Sequence, residues 1–379
     1  MPITGNVSLY FHIPFCTKKC PYCHFYVIPD KALHKKLYLE ALQKECTLKF
    51  PLLKNKSICS LYFGGGTPSL FPEAVAATLE KVHKEKLQLT PDAEITLEAN
   101  PEDITPELSR QCAAMGINRV SMGVQSLSDH SLKKLGRSHD SAKACEAVNL
   151  LLEAGISNIS IDLMYDLPSQ TIACWEDTLA RAASLPITHL SLYNLTLEPH
   201  TVFFKKRKEL MPTLPSPEAS LQMLQQAVAI LESNGLKRYE ISAFAREGAA
   251  ARHNTGYWTG RPFLGFGPSA FSYWEKKRFR NAPNLWRYAR ALEEGRDPMD
   301  FSEQLGEEEQ QKELFAVALR LLEGIDMDHF QKRQGVLTRD LVHSLETLEK
   351  EGLISLTGSR AALTEKGLLF YDTVAEMII

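Results

Sequence analysis

The amino-acid sequence predicts an α/β fold with a mainly parallel sheet, followed by a smaller and mainly helical C-terminal domain. Six short runs rich in apolar and β-branched residues predict strands, and helical patterns lie between them. The runs cover residues 7–13, 58–63, 95–99, 120–124, 159–164 and 190–195. This alternation fits either a doubly wound sheet or a barrel, and in both architectures ligands gather at the carboxyl ends of the strands.

The last helix of this series has a clear predicted start. Ser216 is suited to cap its N-terminus and Pro217 to occupy its first position. The predicted apolar stripe of this helix consists of Leu221, Leu224, Val228 and Leu231.

The character of the sequence changes at about residue 301. Acidic helical sequence at 303–322 precedes a second predicted helix at 337–351, and residues 353–355 and 361–363 predict a hairpin. This order is typical of a winged-helix module. We therefore predict strand and helix units over residues 1–240, a connecting segment over 241–300 and a winged-helix-like domain over 301–379.

Composition and charge limit the classes of function. The 379 residues are 44% hydrophobic and 23% charged, with a net charge of -3, which suits a soluble globular protein and gives no electrostatic basis for binding nucleic acid. The N-terminus lacks a basic region followed by an apolar stretch, and no run approaches the roughly 18 apolar residues of a membrane span. We expect a cytoplasmic protein, either a monomer or a weak dimer.

Three of the eight cysteines lie close together directly after the first predicted strand. Cys16, Cys20 and Cys23 form a C-x3-C-x2-C pattern. Thiolates are the usual protein ligands of iron–sulfur clusters, and three of them leave one iron of a 4Fe-4S cluster free for another ligand. A structural zinc site is the alternative, but it needs four ligands, and the nearest fourth candidate is His24.

The cysteine loop resembles that of the radical S-adenosylmethionine (SAM) superfamily. The resemblance implies a 4Fe-4S cluster whose open iron binds SAM, and a partial TIM-like (β/α)6 barrel. Segments that follow the predicted strands match the superfamily's SAM-binding positions, the glycine-rich segment 64–69 most clearly. The residues that the resemblance assigns to SAM are Tyr10, Tyr22, Gly65, Gly66, Thr67, Glu98, Gln125, Arg137, Asp162 and Thr196.

The rest of the chain resembles the oxygen-independent coproporphyrinogen III oxidase-like family, and within it the HemW-type haem chaperone branch. The oxidases carry a fourth cysteine two residues after the third, where this sequence has Phe25, and they have a longer segment before the cluster loop. The segment that contains His253, Tyr257 and Trp258 resembles the HNxxYW element, which implies haem contacts by these residues. The alternative is a packed corner between the barrel and the C-terminal domain.

Three positions depart from the family pattern. Asp166 and His200 replace residues that are usually glycine, and Phe271 stands where relatives often have histidine. A second haem or porphyrin contact at residue 271 would therefore be absent.

The first functional hypothesis is a haem chaperone that binds haem and transfers it to an acceptor, possibly a membrane-associated respiratory protein. The second is a coproporphyrinogen dehydrogenase-like oxidoreductase, which would oxidatively decarboxylate coproporphyrinogen III to protoporphyrinogen IX in porphyrin biosynthesis. The third is a radical SAM enzyme for another substrate, with His253 purely structural. The resemblance leaves open whether the protein is an enzyme, and it names no certain catalytic residue.

Overall fold

A twelve-stranded sheet forms the centre of the structure, a computed structural model that describes residues 5–379. The strands are β1 Asn6–Ile13, β2 Phe15–Cys16, β3 Ile28–Pro29, β4 Ser57–Gly65, β5 Gln88–Ala99, β6 Arg119–Gln125, β7 Asn158–Tyr165, β8 His189–Asn194, β9 Lys237–Glu240, β10 Ala243–Ala245, β11 Phe263–Phe266, β12 Phe271–Trp274, β13 Lys277–Asn281, β14 Met299–Gln304, β15 Ile325–Asp326, β16 Ile354–Thr357 and β17 Arg360–Leu363. The order in the large sheet is β14-β13-β12-β11-β1-β4-β5-β6-β7-β8-β10-β9.

The helices cover the sheet and form most of the C-terminal domain. They are α1 Ala32–Lys49, α2 Pro72–Lys84, α3 Pro106–Ala114, α4 Asp129–Lys134, α5 Ser141–Glu153, α6 Ile172–Ser184, α7 Val202–Lys205, α8 Arg207–Leu210, α9 Pro217–Ser233, α10 Arg252–Trp258, α11 Leu285–Glu293, α12 Glu307–Ala318, α13 Met327–Gln334, α14 Arg339–Lys350, α15 Glu365–Leu369 and α16 Tyr371–Ile378. Among the helices of residues 5–379, none combines the length and the apolar character needed to cross a bilayer.

The predicted α/β fold is confirmed, and all six predicted strands are present as β1 and β4 to β8. These strands pair in parallel in sequence order. The ends of β4 and β8 line one cavity, so the sheet curves into an open barrel. Within the described residues β9 and β14 end the sheet without pairing to each other, which makes the barrel partial.

The connecting segment extends the sheet at both edges. Strand β10 pairs antiparallel with β8, whereas β11 pairs parallel with β1 and begins an antiparallel run through β14. Because β14 spans Met299–Gln304, the predicted boundary at residue 301 falls inside a strand of the large sheet.

The last barrel helix confirms its predicted start and most of its predicted buried face. The Ser216 hydroxyl caps α9 by accepting a hydrogen bond from the backbone N–H of Ala219 at 3.3 Å. The side chains that α9 buries are Met223, Ala227 and Leu231, whereas Leu221 is exposed. Leu231 belongs to the core, and Leu224 and Val228 pack against it partly buried, so the predicted stripe holds except at Leu221.

The C-terminal domain has a hydrophobic core of its own. Phe315, Leu341, Leu345 and Ile354 belong to this core, which draws on residues 315–378. Strands β16 and β17 form the predicted hairpin, and β15 pairs antiparallel with β17. The order of helices and strands matches the predicted winged-helix-like arrangement.

A buried polar network fastens the extended part of the sheet to α1. The Lys49 ammonium donates to Glu45 Oε1 at 2.5 Å, to the Gly265 carbonyl at 3.1 Å and to Asn281 Oδ1 at 3.2 Å. Glu45 Oε2 also accepts from the Gly267 N–H at 2.7 Å and from the Tyr288 hydroxyl at 2.6 Å. Both charged groups are therefore buried with their hydrogen-bonding capacity largely filled.

We expect Lys49→Met to destabilise the fold by about 3–5 kcal/mol, because it leaves the buried Glu45 carboxylate without its counter-charge. Urea unfolding gives the free energy of unfolding. The control is Arg110→Ala, which removes an exposed ion pair with Glu107 and should cost under about 1 kcal/mol. Equal losses in the two variants would show that the Lys49 network contributes little.

Candidate cofactor-binding site

The carboxyl ends of the parallel strands surround a cavity of about 400 Å³. The cysteine loop closes one side, and segments that follow β4 to β8 form the others. All the residues that the sequence assigns to SAM line this cavity, with the exception of Tyr10. The fold thus brings together groups that are up to 180 residues apart in the sequence, as the rule for parallel sheets requires.

The cysteine loop is fixed at several points along its backbone. Strands β2 and β3 pair in parallel at its two ends. Inside the loop the Cys23 N–H donates to the Cys20 carbonyl at 3.1 Å, and the Lys19 ammonium donates to the Phe25 carbonyl at 3.0 Å. The Phe203 N–H donates to the Pro21 carbonyl at 2.9 Å. Cys16, Cys20 and Cys23 all face the cavity from this braced loop.

The surroundings of the three thiols suit a cluster that carries positive charge. Burial raises the pKa of the Cys16 thiol to about 11, and burial also raises the pKa of the Cys23 thiol. Cationic iron would offset this penalty, since metal ligation deprotonates a thiol. Within residues 5–379 no three metal-binding side chains converge on a single point. A 4Fe-4S cluster does not require such convergence, because each thiolate binds a different iron.

Glycines at the end of β4 allow the chain to pass close to β2, the short strand that contains Cys16. A Cβ atom on Gly66 would lie 2.6 Å from the Phe15 carbonyl oxygen, and Gly65 has a φ of 115° in the left-handed region. The Thr67 N–H donates to the Phe15 carbonyl at 2.8 Å, and the Thr67 hydroxyl lies 3.5 Å from Cys16 Sγ. Residue 66 must therefore be glycine, because a side chain there would collide with the backbone of β2.

Two carboxyl groups face the cavity from neighbouring parts of the barrel. Glu98 Oε2 accepts from the Gly65 N–H at 2.9 Å, and Glu98 Oε1 accepts from the Tyr62 hydroxyl at 2.8 Å. Burial raises the pKa of Glu98 to about 7 and that of Asp162 to about 6. Carboxylates in a shielded cavity attract a cation strongly, so the pair suits a ligand with an ammonium or a sulfonium group.

Arg137 is held in place beside the cysteine loop. Its Nη2 donates to Asn100 Oδ1 and to the Gly123 carbonyl, both at 2.6 Å, and its Nη1 lies 3.5 Å from Cys20 Sγ. Its Nε is buried and has no hydrogen-bond partner within the described residues. The guanidinium is thus a fixed positive charge on the cavity wall, which suits an anionic ligand group.

The three other predicted positions on the cavity wall are Gln125, Tyr22 and Thr196. Gln125 has a φ of 68°, which bends the chain sharply where β6 ends. Thr196 is exposed in the loop that follows β8.

Tyr10 lies below the cavity rather than on its wall. Its hydroxyl is 3.0 Å from His12 Nδ1, and its ring stacks on that of Tyr62 with 6.0 Å between centroids. Tyr10 is therefore separated from the cavity by residues such as Tyr62 and His12.

The predicted haem residues lie away from the cavity. His253 is 1% exposed; its Nδ1 is 2.9 Å from Ser60 Oγ and its Nε2 is 2.8 Å from the Tyr257 hydroxyl. The backbone N–H of His253 also donates to Glu94 Oε1 at 2.9 Å. Helix α10 therefore closes the barrel interior below the cavity, and both nitrogens of the imidazole are occupied.

Trp258, at the end of α10, contacts the C-terminal domain. The Arg320 guanidinium lies 4.3 Å from the centroid of its ring. Trp258 thus lies where the barrel meets the C-terminal domain, whereas His253 and Tyr257 lie in the barrel interior.

The three departures from the family pattern have separate structural settings. Asp166 has a φ of 61°, and its Oδ2 accepts from Asn194 Nδ2 and from Ser220 Oγ, which ties β7 to β8 and α9. His200 also has a positive φ, of 68°, and is exposed. Phe271 is half exposed and packs against Phe301, with 6.5 Å between ring centroids.

Sequence reasoning missed two residues that shape the site. Asn100 orients Arg137, and Tyr62 orients Glu98. Asn100 directly follows β5, so its position at a strand end was an available signal. Tyr62 lies within β4, where a strand pattern shows that the side chain faces the interior but not which partner it meets.

Comparisons with known proteins agree with this arrangement. The sequence matches the Radical SAM superfamily over residues 10–182 and the HemN C-terminal domain over residues 305–370. The haem chaperone HemW of Haemophilus influenzae is 32% identical, covering 100% of this chain and 99% of that protein, and HemW of Bacillus subtilis is 32% identical over 97% of each. Coproporphyrinogen III oxidase (HemN) of Escherichia coli, a radical SAM enzyme, has a TM-score of 0.86 at 27% identity, covering 98% of this chain and 89% of that chain.

The fold and these matches define a radical SAM protein with a HemN-type C-terminal domain. That class implies a 4Fe-4S cluster and SAM as cofactors. Within the class, the chain belongs to the HemW family.

We expect Tyr62→Phe to weaken SAM binding by roughly tenfold, because Glu98 loses a hydrogen bond that favours its charged form. Calorimetric titration of the anaerobic, cluster-loaded protein gives the dissociation constant. Tyr10→Phe is the matched control, since its hydroxyl contacts His12 instead. Unchanged affinity in Tyr62→Phe would separate Tyr62 from the SAM site.

We also expect SAM affinity to fall as the pH decreases through about 7. Burial raises the pKa of Glu98 to about 7, so below that pH the carboxyl gains a proton and loses the charge that attracts the ammonium. An α-amino group, with a pKa of about 7.7–8.0, stays protonated in this range. Glu98→Gln should bind SAM weakly and lack this pH dependence, and titrations across the range would show whether it does.

Proposed function

We propose that this protein is a haem chaperone of the radical SAM class, which binds haem and transfers it to an acceptor protein. The observation that carries the proposal is that Cys16, Cys20 and Cys23 share one cavity with the predicted SAM residues, in a chain similar to HemW over its whole length. A membrane-associated respiratory protein is the kind of acceptor that we propose.

The proposal assigns the three thiolates to a 4Fe-4S cluster and the cavity to SAM. When bound, the reduced cluster supplies an electron that can cleave a carbon–sulfur bond of SAM. Glu98 and Asp162 would hold the cationic groups of SAM, and Arg137, which lines the same cavity, would pair with its carboxylate.

The proposal for haem must account for the position of His253. For this imidazole to bind iron, it would have to exchange its contact with Ser60 or Tyr257 for the metal. Haem binding through the motif would therefore require α10 to shift, and Tyr257 and Trp258 would move with it.

Coproporphyrinogen III oxidation is the second candidate function, and the structural match to HemN favours it. Phe25 argues against this activity, because the oxidases of the family carry their fourth cysteine at that position. The Phe25 side chain is exposed and lines the cavity. The site therefore has an aromatic ring where the oxidases have a thiol.

Anaerobic, cluster-reconstituted protein should bind ferric haem stoichiometrically, and it should yield no protoporphyrinogen from coproporphyrinogen III with SAM and dithionite. Absorption titration measures haem, and chromatography measures the porphyrin product. Authentic coproporphyrinogen dehydrogenase serves as the positive control. Turnover of coproporphyrinogen, or failure to bind haem, would contradict the chaperone function.

A further inference from the structure

Haem bound by a protein commonly has an axial ligand, and imidazole is a frequent one. Four of the histidines in the described part of the chain are buried with both ring nitrogens next to hydrogen-bonding partners. They are His12, His139, His189 and His253. Each would have to give up an internal contact before it could bind iron.

His24 is in a different situation. It directly follows Cys23 and is exposed, and it is the one imidazole that lines the cavity within residues 5–379. No hydrogen bond to its ring occurs among those residues, so both nitrogens are available at the mouth of the site. A neutral imidazole in that state can donate a lone pair to iron without breaking a contact.

The side chains beside His24 suit the face of a porphyrin. The Phe25 ring is 56% exposed and lies 4.7 Å from the His24 ring between centroids. Val27, Met164 and Leu195 add apolar surface to the lining of the same cavity. An aromatic ring exposed at a cavity edge gains apolar contact when a flat ligand covers it.

The charges at this edge suit the propionates of haem. Lys18 and Lys19 lie on the cysteine loop and line the cavity mouth. The Lys19 ammonium is used to fix the loop through the Phe25 carbonyl, whereas Lys18 is exposed. An exposed ammonium can pair with a carboxylate of a bound ligand.

The volume of the cavity places haem at its mouth. About 400 Å³ is enough for one small-molecule ligand, and the proposed cluster and SAM take that space. A macrocycle would therefore lie across the opening, over the ligands below it.

We propose that His24 is the axial ligand of the haem iron, with Phe25 against the macrocycle and Lys18 beside a propionate. This inference rests on the proposed haem chaperone function and names its haem site. The bond is a coordinate bond from an imidazole nitrogen, so no electron is transferred when it forms.

The test is the absorption and electron paramagnetic resonance of ferric haem bound to the full, cluster-loaded chain. His24→Ala should lose the signature of imidazole ligation and weaken haem binding by at least about tenfold. Added free imidazole should restore the signature. His24→Met should shift the spectrum towards thioether ligation, which would identify the position even if the alanine variant holds its cluster poorly.

The matched control is His343→Ala, because His343 is exposed on α14 in the C-terminal domain and should leave the haem spectrum unchanged. His253→Ala tests the buried alternative. An unchanged spectrum in both His24 variants, or loss of imidazole ligation in His253→Ala alone, would overturn the assignment while the chaperone function stands. Absence of haem binding by the wild-type protein would overturn both.

Discussion

The contact between the cysteine strand and the glycine-rich turn is the constraint on which the site depends. The Gly66 N–H donates to the Ile13 carbonyl at 2.9 Å and the Thr67 N–H to the Phe15 carbonyl at 2.8 Å, so the start of the cysteine loop and the turn after β4 form one unit. A side chain at residue 66 would collide with that backbone. This contact holds Cys16 beside Thr67, two residues from the Gly65 N–H that donates to Glu98, so the proposed cluster would lie next to the predicted SAM site.

A chain of side-chain contacts leads from Glu98 into the interior of the barrel. Glu98 receives a hydrogen bond from Tyr62, and the Tyr62 ring lies 4.8 Å from that of His253. His253 in turn meets Ser60 and the N-terminal part of β5. The motif on α10 is therefore connected to the predicted SAM site through the side chains of Tyr62 and Glu98. A change in the motif could then affect cofactor binding without touching the cofactor.

The sequence predicts the strands well because each contains a short apolar run bounded by polar turns. The family resemblance assigns residues at the ends of those strands to SAM, and all of them except Tyr10 line the cavity. It could not place His253, since a histidine between aromatic residues has the same pattern whether it binds a ligand or fills an interior. Tyr10 shows the same limit: its strand position gives the face of the sheet but not its depth below the cavity. The periodicity of α9 gives most of its buried face but not its edge, since Leu221 is exposed and Met223 is buried instead.

The departure at residue 166 shows how one substitution is absorbed by its neighbours. Asp166 keeps the left-handed backbone that glycine adopts most easily, at a cost that its side-chain contacts offset. Those contacts go to Asn194 and Ser220, both outside the segment that the family pattern describes. A motif comparison therefore registers a mismatch, whereas the structure retains the turn. Residues 24 and 25 are a second example. His24 and Phe25 give the cavity edge an imidazole and an aromatic ring, while Cys16, Cys20 and Cys23 still line the cavity.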